Sequence, residues 1–152
     1  MKRAATYLTL LFLGLSGCAA PPPPPPPVLA LTITGSAGQN PDLSGQGNAV
    51  AINLYQLTAT GKFASADFYS LTGQEAATLG TDEAGSSVQS LLTPGQSLTQ
   101  TISLKPTVVA VGFAVLFQNI NHSTWRLVAP VAANGTTSVA LHINGLTATL
   151  GN

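Results

Sequence analysis

The sequence predicts an all-β domain, a β-sandwich of about seven or eight short strands carrying a small helical addition. Three observations carry that expectation. From Val28 onward, segment after segment alternates apolar and polar residues with a period of two. Gly, Pro and Asn punctuate the gaps between those segments. One stretch, residues 108–117 (VVAVGFAVLF), is apolar on both faces, as a central strand covered on each side must be.

Residues 28–34 (VLALTIT) place Leu29, Leu31 and Ile33 on one face, and residues 50–57 (VAINLYQL) do the same with Val50, Ile52 and Leu54. Both read as strands buried on one side. Pro94-Gly95 marks a turn before residues 97–104, where Leu98, Ile102 and Leu104 alternate with Thr99, Thr101 and Ser103. In the two-faced strand, Gly112 permits a bend or a close approach by a neighbour. Residues 125–128 form a short strand closed by Pro130, and residues 137–143 and 146–150 flank Asn144-Gly145, a strong hairpin signal. One stretch breaks the β pattern. Ala64, Phe68 and Leu71 fall at i, i+4 and i+7, which suits a short amphipathic helix, and Thr72 with Glu75 resembles a capping box for a second turn through Leu79.

The amino terminus reads as an export signal. Lys2 and Arg3 precede a brief apolar run, residues 7–15, too short to span a bilayer that needs about 20 residues. Leu15, Ser16, Gly17 and Cys18 look like a bacterial lipobox, and Cys18 is the one cysteine of the chain. Residues 1–17 are therefore expected to be removed, leaving Cys18 as a lipidated first residue. Two or more acyl chains give stable anchoring where one is marginal. Ala19 follows the cysteine instead of Asp, which by resemblance to Gram-negative lipoproteins sorts the protein to the outer membrane, on its periplasmic face. Residues 21–27 are seven consecutive prolines, a polyproline II rod of about 22 Å at about 3.1 Å per residue. The expected organisation is a signal peptide at 1–17, a lipidated cysteine and stiff tether at 18–27, and the sandwich at 28–152.

Composition excludes several functions. The 152 residues are 45% hydrophobic and 7% charged, so the chain is neither disordered nor a basic nucleic-acid binder. Beyond residue 17, Lys62, Lys105 and Arg126 face Asp42, Asp67, Glu75, Asp82 and Glu83, a formal balance of −2. A single cysteine rules out an intramolecular disulfide or a thiolate zinc cluster. His122 and His142 have no Cys, Asp or Glu at metal-ligand spacing, Gly45-Gln46-Gly47 lacks the context of a phosphate cradle, and there is no nucleophile elbow. No catalytic residue, metal, cofactor, small-molecule substrate or nucleic acid is expected. Trp125 reads as a core residue with Arg126 pointing outward, and Tyr55 and Tyr69 as packing residues with wet hydroxyls.

The order of features resembles the TssJ family, the outer-membrane lipoprotein of bacterial type VI secretion systems. The resemblance rests on Asn40-Pro41-Asp42, Leu54-Tyr55-Gln56-Leu57, Phe63 with Ala66-Asp67-Phe68 and Leu71, Leu92-Thr93-Pro94-Gly95, and the apolar strand followed by Trp125-Arg126, all behind a lipobox. It implies a transthyretin-like sandwich with no enzymatic activity. It also implies binding to the periplasmic carboxy-terminal domain of the inner-membrane protein TssM through the loop between the first two strands. Here that loop is residues 36–49, with Asn40, Pro41, Asp42, Leu43, Ser44, Gly45 and Gln46 as the candidate contacts. Two other classes stay open at this stage: a lipid-tethered sandwich that binds a glycan or other envelope ligand, which would favour a cluster of exposed aromatics, and a small periplasmic hydrolase.

Overall fold

The computed structural model describes residues 21–151. Cys18 and the export segment lie outside them. Eight strands form two four-stranded sheets, with orders β4-β1-β7-β8 and β3-β2-β5-β6. The strands are β1 (Pro27–Gly35), β2 (Val50–Leu57), β3 (Val88–Leu92), β4 (Ser97–Ser103), β5 (Ala110–Leu116), β6 (Arg126–Pro130), β7 (Gly135–Asn144) and β8 (Thr147–Gly151). The alternation dictates the packing. Leu29, Leu31, Ile33, Leu141 and Ile143 from one sheet meet Val50, Ile52, Val111, Phe113 and Val115 from the other in a single core.

β1 begins at Pro27, one residue inside the expected tether. Pro27 pairs with Gly135 across a parallel ladder to β7, and its carbonyl accepts from Leu104 N–H at 3.0 Å. A strand's first position tolerates proline. β3 is not among the expected strands: Val88 and Leu91 are exposed and only Leu92 is buried, so it lacks the alternation that marks a half-buried strand. The β7–β8 hairpin forms, but its central pair is Gly145-Leu146, since Asn144 pairs with Thr147. Gly145 has φ +56°, which a two-residue turn with glycine first requires.

The helical addition is three short helices, α1 (Gly61–Ser65), α2 (Phe68–Gly73) and α3 (Glu75–Leu79), laid on the outer face of the β2–β5 sheet. They change two expectations. β2 is buried on both faces, because Tyr55 and Leu57 join Phe63, Leu71 and Leu79 in a second apolar cluster. The buried helical residues are Phe63, Leu71 and Leu79, while Ala64 is exposed, because the chain breaks at Ala66-Asp67 and restarts the helical phase. Asp67 caps α2 by accepting from Ser70 N–H at 2.9 Å. The expected capping box is absent: Thr72 Oγ1 donates to the Phe68 carbonyl, and the N-cap of α3 is Gln74. β5 makes room for this layer. Ala110, Gly112 and Ala114 face the helices, and a Cβ on Gly112 would lie 2.6 Å from the Phe63 ring.

Glu75 and Glu83 meet where α3 adjoins the sheet. Glu75 accepts from Ser87 N–H at 2.7 Å and from Ser87 Oγ–H. Burial, and then the charge and hydrogen bond of Glu75, push the Glu83 carboxyl up to about 8. Burial likewise raises Tyr55, with both glutamates adding to it and the Asn53 hydrogen bond opposing. Tyr55 is fully buried and its hydroxyl accepts from Asn53 Nδ2 at 3.3 Å, so it is not wet.

Candidate partner-binding loop

Residues 36–49 leave β1 at the pole opposite the chain's entry into the sandwich. β1 spans nine residues, so that pole is about 26 Å from Pro27 at about 3.3 Å per residue. The loop contains few apolar side chains, and it is held by polar bonds to other connections. Asn40 has φ +46°, the sole positive value among non-glycine described residues, a conformation asparagine tolerates. Its amide donates to the Ala49 carbonyl at 2.8 Å, its Oδ1 accepts from Gln118 N–H at 2.8 Å, and its own N–H donates to the Gly145 carbonyl at 2.8 Å. One residue thereby joins the β1–β2, β5–β6 and β7–β8 connections. Gln39, fully buried, donates from Nε2 to the Leu92 carbonyl at 2.8 Å. Gly47 allows the two limbs to touch, since a Cβ there would lie 2.1 Å from the Ala37 carbonyl oxygen.

Above this base, residues 41–46 fold on themselves. Asp42 Oδ1 accepts from Ser44 N–H at 2.8 Å, Ser44 Oγ–H at 2.6 Å and Gln46 N–H at 3.1 Å, while Asp42 N–H donates to the Gln46 carbonyl at 3.0 Å. The Ser44 hydroxyl and then the Gln46 amide hold the Asp42 carboxyl below its ordinary value. Leu43 sits at the apex with its side chain 109% exposed. An open groove lined by Pro41, Asp42, Leu43, Gln118, Asn119 and Leu146 runs beside it.

Of the seven loop residues singled out from sequence, the structure presents Asp42, Leu43, Ser44, Gly45 and Gln46 to solvent, with Pro41 partly covered. Asn40 is a correction: at 2% exposure its polar atoms are consumed inside the fold, so it shapes the loop and offers no surface. Gln39, Gln118 and Gly145 escape a sequence reading because their roles depend on which connections meet at this pole, and strand spacing carries no signal of that.

The type VI secretion lipoprotein model, which covers VasD, EvfM and TssJ, matches residues 27–146. The chain belongs to this type VI secretion lipoprotein family. It is similar in fold to the crystal structure of the type VI lipoprotein TssJ1 from Pseudomonas aeruginosa, with TM-score 0.80 and 24% identity over 84% of this chain and 96% of that one. It is similar also to Serratia marcescens Lip, a membrane-bound component of the type VI secretion system, with TM-score 0.75 and 21% identity over 84% and 97%. A chain of a structure described as a type VI membrane complex matches with TM-score 0.73 and 25% identity over 82% and 98%. No curated protein matches the chain.

This type VI secretion lipoprotein carries a second gathering of side chains near the same pole. Trp125 packs edge-on against Phe68 with ring centroids 5.2 Å apart, and Phe68 packs edge-on against Tyr69 at 5.4 Å. Trp125 is half-buried between the two apolar clusters, and Tyr69 is 71% exposed, so the expected packing role for Tyr69 is wrong. Arg126 does not point into solvent either. Its Nη1 donates to the carbonyls of Phe63 and Ala66, and its guanidinium lies 4.9 Å from the Trp125 ring centre. Among the described residues, no three His, Cys, Asp or Glu could hold a metal ion, and no helix is long and apolar enough to cross a membrane. His122 and His142 are both exposed, His122 beside Asn119 at 2.9 Å.

Proposed function

We propose that this lipoprotein is anchored in the outer membrane by acyl chains on Cys18 and binds the periplasmic carboxy-terminal domain of TssM through the tip of loop 36–49. It thereby ties the inner-membrane protein to the outer membrane. Residues 1–17 are removed on export, and the prolines from Pro21 act as a spacer between the lipid and the sandwich. The reading draws support from a structural likeness: a chain of a structure described as the TssM carboxy-terminal domain (869–1107) from EAEC matches with TM-score 0.71 and 25% identity.

The observation that carries the reading is the placement of an exposed, internally hydrogen-bonded tip at the pole opposite Pro27. A tether entering at Pro27 presents the far pole to the periplasm, where a partner from the inner membrane must arrive. Rigidity matters because ordering a loop on association costs about 0.5–1.5 kcal/mol per immobilised side chain. The bonds from Ser44 and Gln46 to Asp42 have already met part of that cost. Leu43 then supplies apolar area to a complementary pocket, and its neighbours supply backbone and hydroxyl groups for a polar rim.

Two measurements test this. Titration calorimetry of the full chain with the TssM periplasmic domain should show Leu43→Asp weakening affinity at least about thirtyfold, the usual minimum for a hot-spot residue. Unchanged affinity would place the interface elsewhere. Envelope fractionation of Cys18→Ser should release the protein from the outer membrane, and retention there would refute the anchor.

A further inference from the structure

The aromatic cleft between α2 and β6 has features that neither packing nor the loop reading requires. Phe68, Tyr69 and Trp125 form its apolar wall, and Asp67, Asn121 and Arg126 stand on its rim. The wall is preorganised. Arg126 binds the Phe63 and Ala66 carbonyls, which fixes the α1–α2 junction to the start of β6 and so holds Phe68 against Trp125. A ring as exposed as Tyr69 on a rigid surface leaves water against apolar area that nothing in the fold covers. The rim keeps hydrogen-bonding capacity: Asp67 uses Oδ1 for the α2 cap, Asn121 is exposed, and Tyr69 carries a hydroxyl.

We propose that this cleft is a binding site for a neutral saccharide chain. A pyranose ring offers an apolar C–H face that packs on an aromatic ring and equatorial hydroxyls that hydrogen-bond in its plane, which matches aromatic walls bordered by a carboxylate and an amide. The site's charge also fits a neutral ligand. Asp67 and Arg126 are one of each sign, and Nη1 of the guanidinium donates to two carbonyls. An anionic ligand would meet Asp67, and a cationic one would meet Arg126.

Trp125 is the one tryptophan in the chain, so its emission reports on this cleft alone. The full chain in lauryldimethylamine oxide, a detergent without sugar, should show a saturable change in emission on titration with chitotriose, cellotriose or maltotriose. Tyr69→Ala should weaken that response about tenfold or more, as truncation of a central aromatic does. Tyr69 is exposed, so the variant should fold, with circular dichroism as the check. Leu43→Asp should leave the response unchanged, which separates this site from the loop. No saturable change with any of the three sugars, or a response that survives Tyr69→Ala, overturns the proposal. A change in Trp125 emission produced by the TssM periplasmic domain and not by sugar would also overturn it, making the cleft part of a protein interface.

Discussion

The clearest electrostatic consequence of the fold is a stability that declines toward alkaline pH through Glu83. Unfolded, this carboxyl titrates near 4.5; folded, burial and the adjacent Glu75 push it up to about 8. Between those values the folded chain holds a proton that the unfolded chain releases. The stabilising contribution is therefore full below about pH 4.5 and is lost as pH rises through about 8. A gap of about 3.5, from 4.5 to about 8, at about 1.4 kcal/mol per pH unit, sets a ceiling of about 5 kcal/mol. Glu83 is partly open to solvent, and screening brings the expected loss down to about 1–2 kcal/mol. Glu83→Gln keeps the shape and an N–H donor toward Glu75 while removing the titration. Urea unfolding at about pH 5.5 and about pH 8.5 should show the native protein losing about 1–2 kcal/mol and the variant holding level. Amide protection in α1–α3, taken relative to the base-catalysed intrinsic exchange rate at each pH, should fall at the higher pH in the native protein alone, because Glu75 and Glu83 lie where that layer joins the sheet. An equal decline in the two proteins would refute the assignment of the pH dependence to Glu83.

Gly112→Ala places a methyl against the Phe63 ring, and equilibrium unfolding should register a loss of about 1–3 kcal/mol from overpacking. Asn40→Ala leaves the part-buried Gln118 N–H and Ala49 carbonyl without their partner, and thermal or urea unfolding should report about 1–3 kcal/mol. Asp42→Ala and Leu43→Asp alter exposed tip residues, so unfolding should shift by less than about 0.5 kcal/mol while capture of the TssM domain falls. Arg126→Ala frees the α1–α2 junction, and Trp125 emission should broaden and move to the red as the indole gains water.

Two-fold alternation determined the β-sandwich. A residue such as Leu31 or Ile33 in β1 can reach a core only if every second neighbour faces away, and that constraint is local. The apolar run at 108–117 likewise required cover on both faces, and β5 is central with helices on one side and the core on the other. The pairing partners were decided only by tertiary structure. Asn40 looks like a surface contact because its type suits loops, yet three bonds bury it, two of them to connections far apart in sequence. Tyr69 looks like packing and is exposed, whereas Tyr55 on the outer face of β2 is sealed by helices that begin after the strand ends. Glu83 is raised only because α3 folds back on the sheet, burying its carboxyl and bringing Glu75 close. Local periodicity tells each strand which face is apolar; hydrogen bonds act over about 3 Å, so those between distant residues exist only once the fold has brought them together.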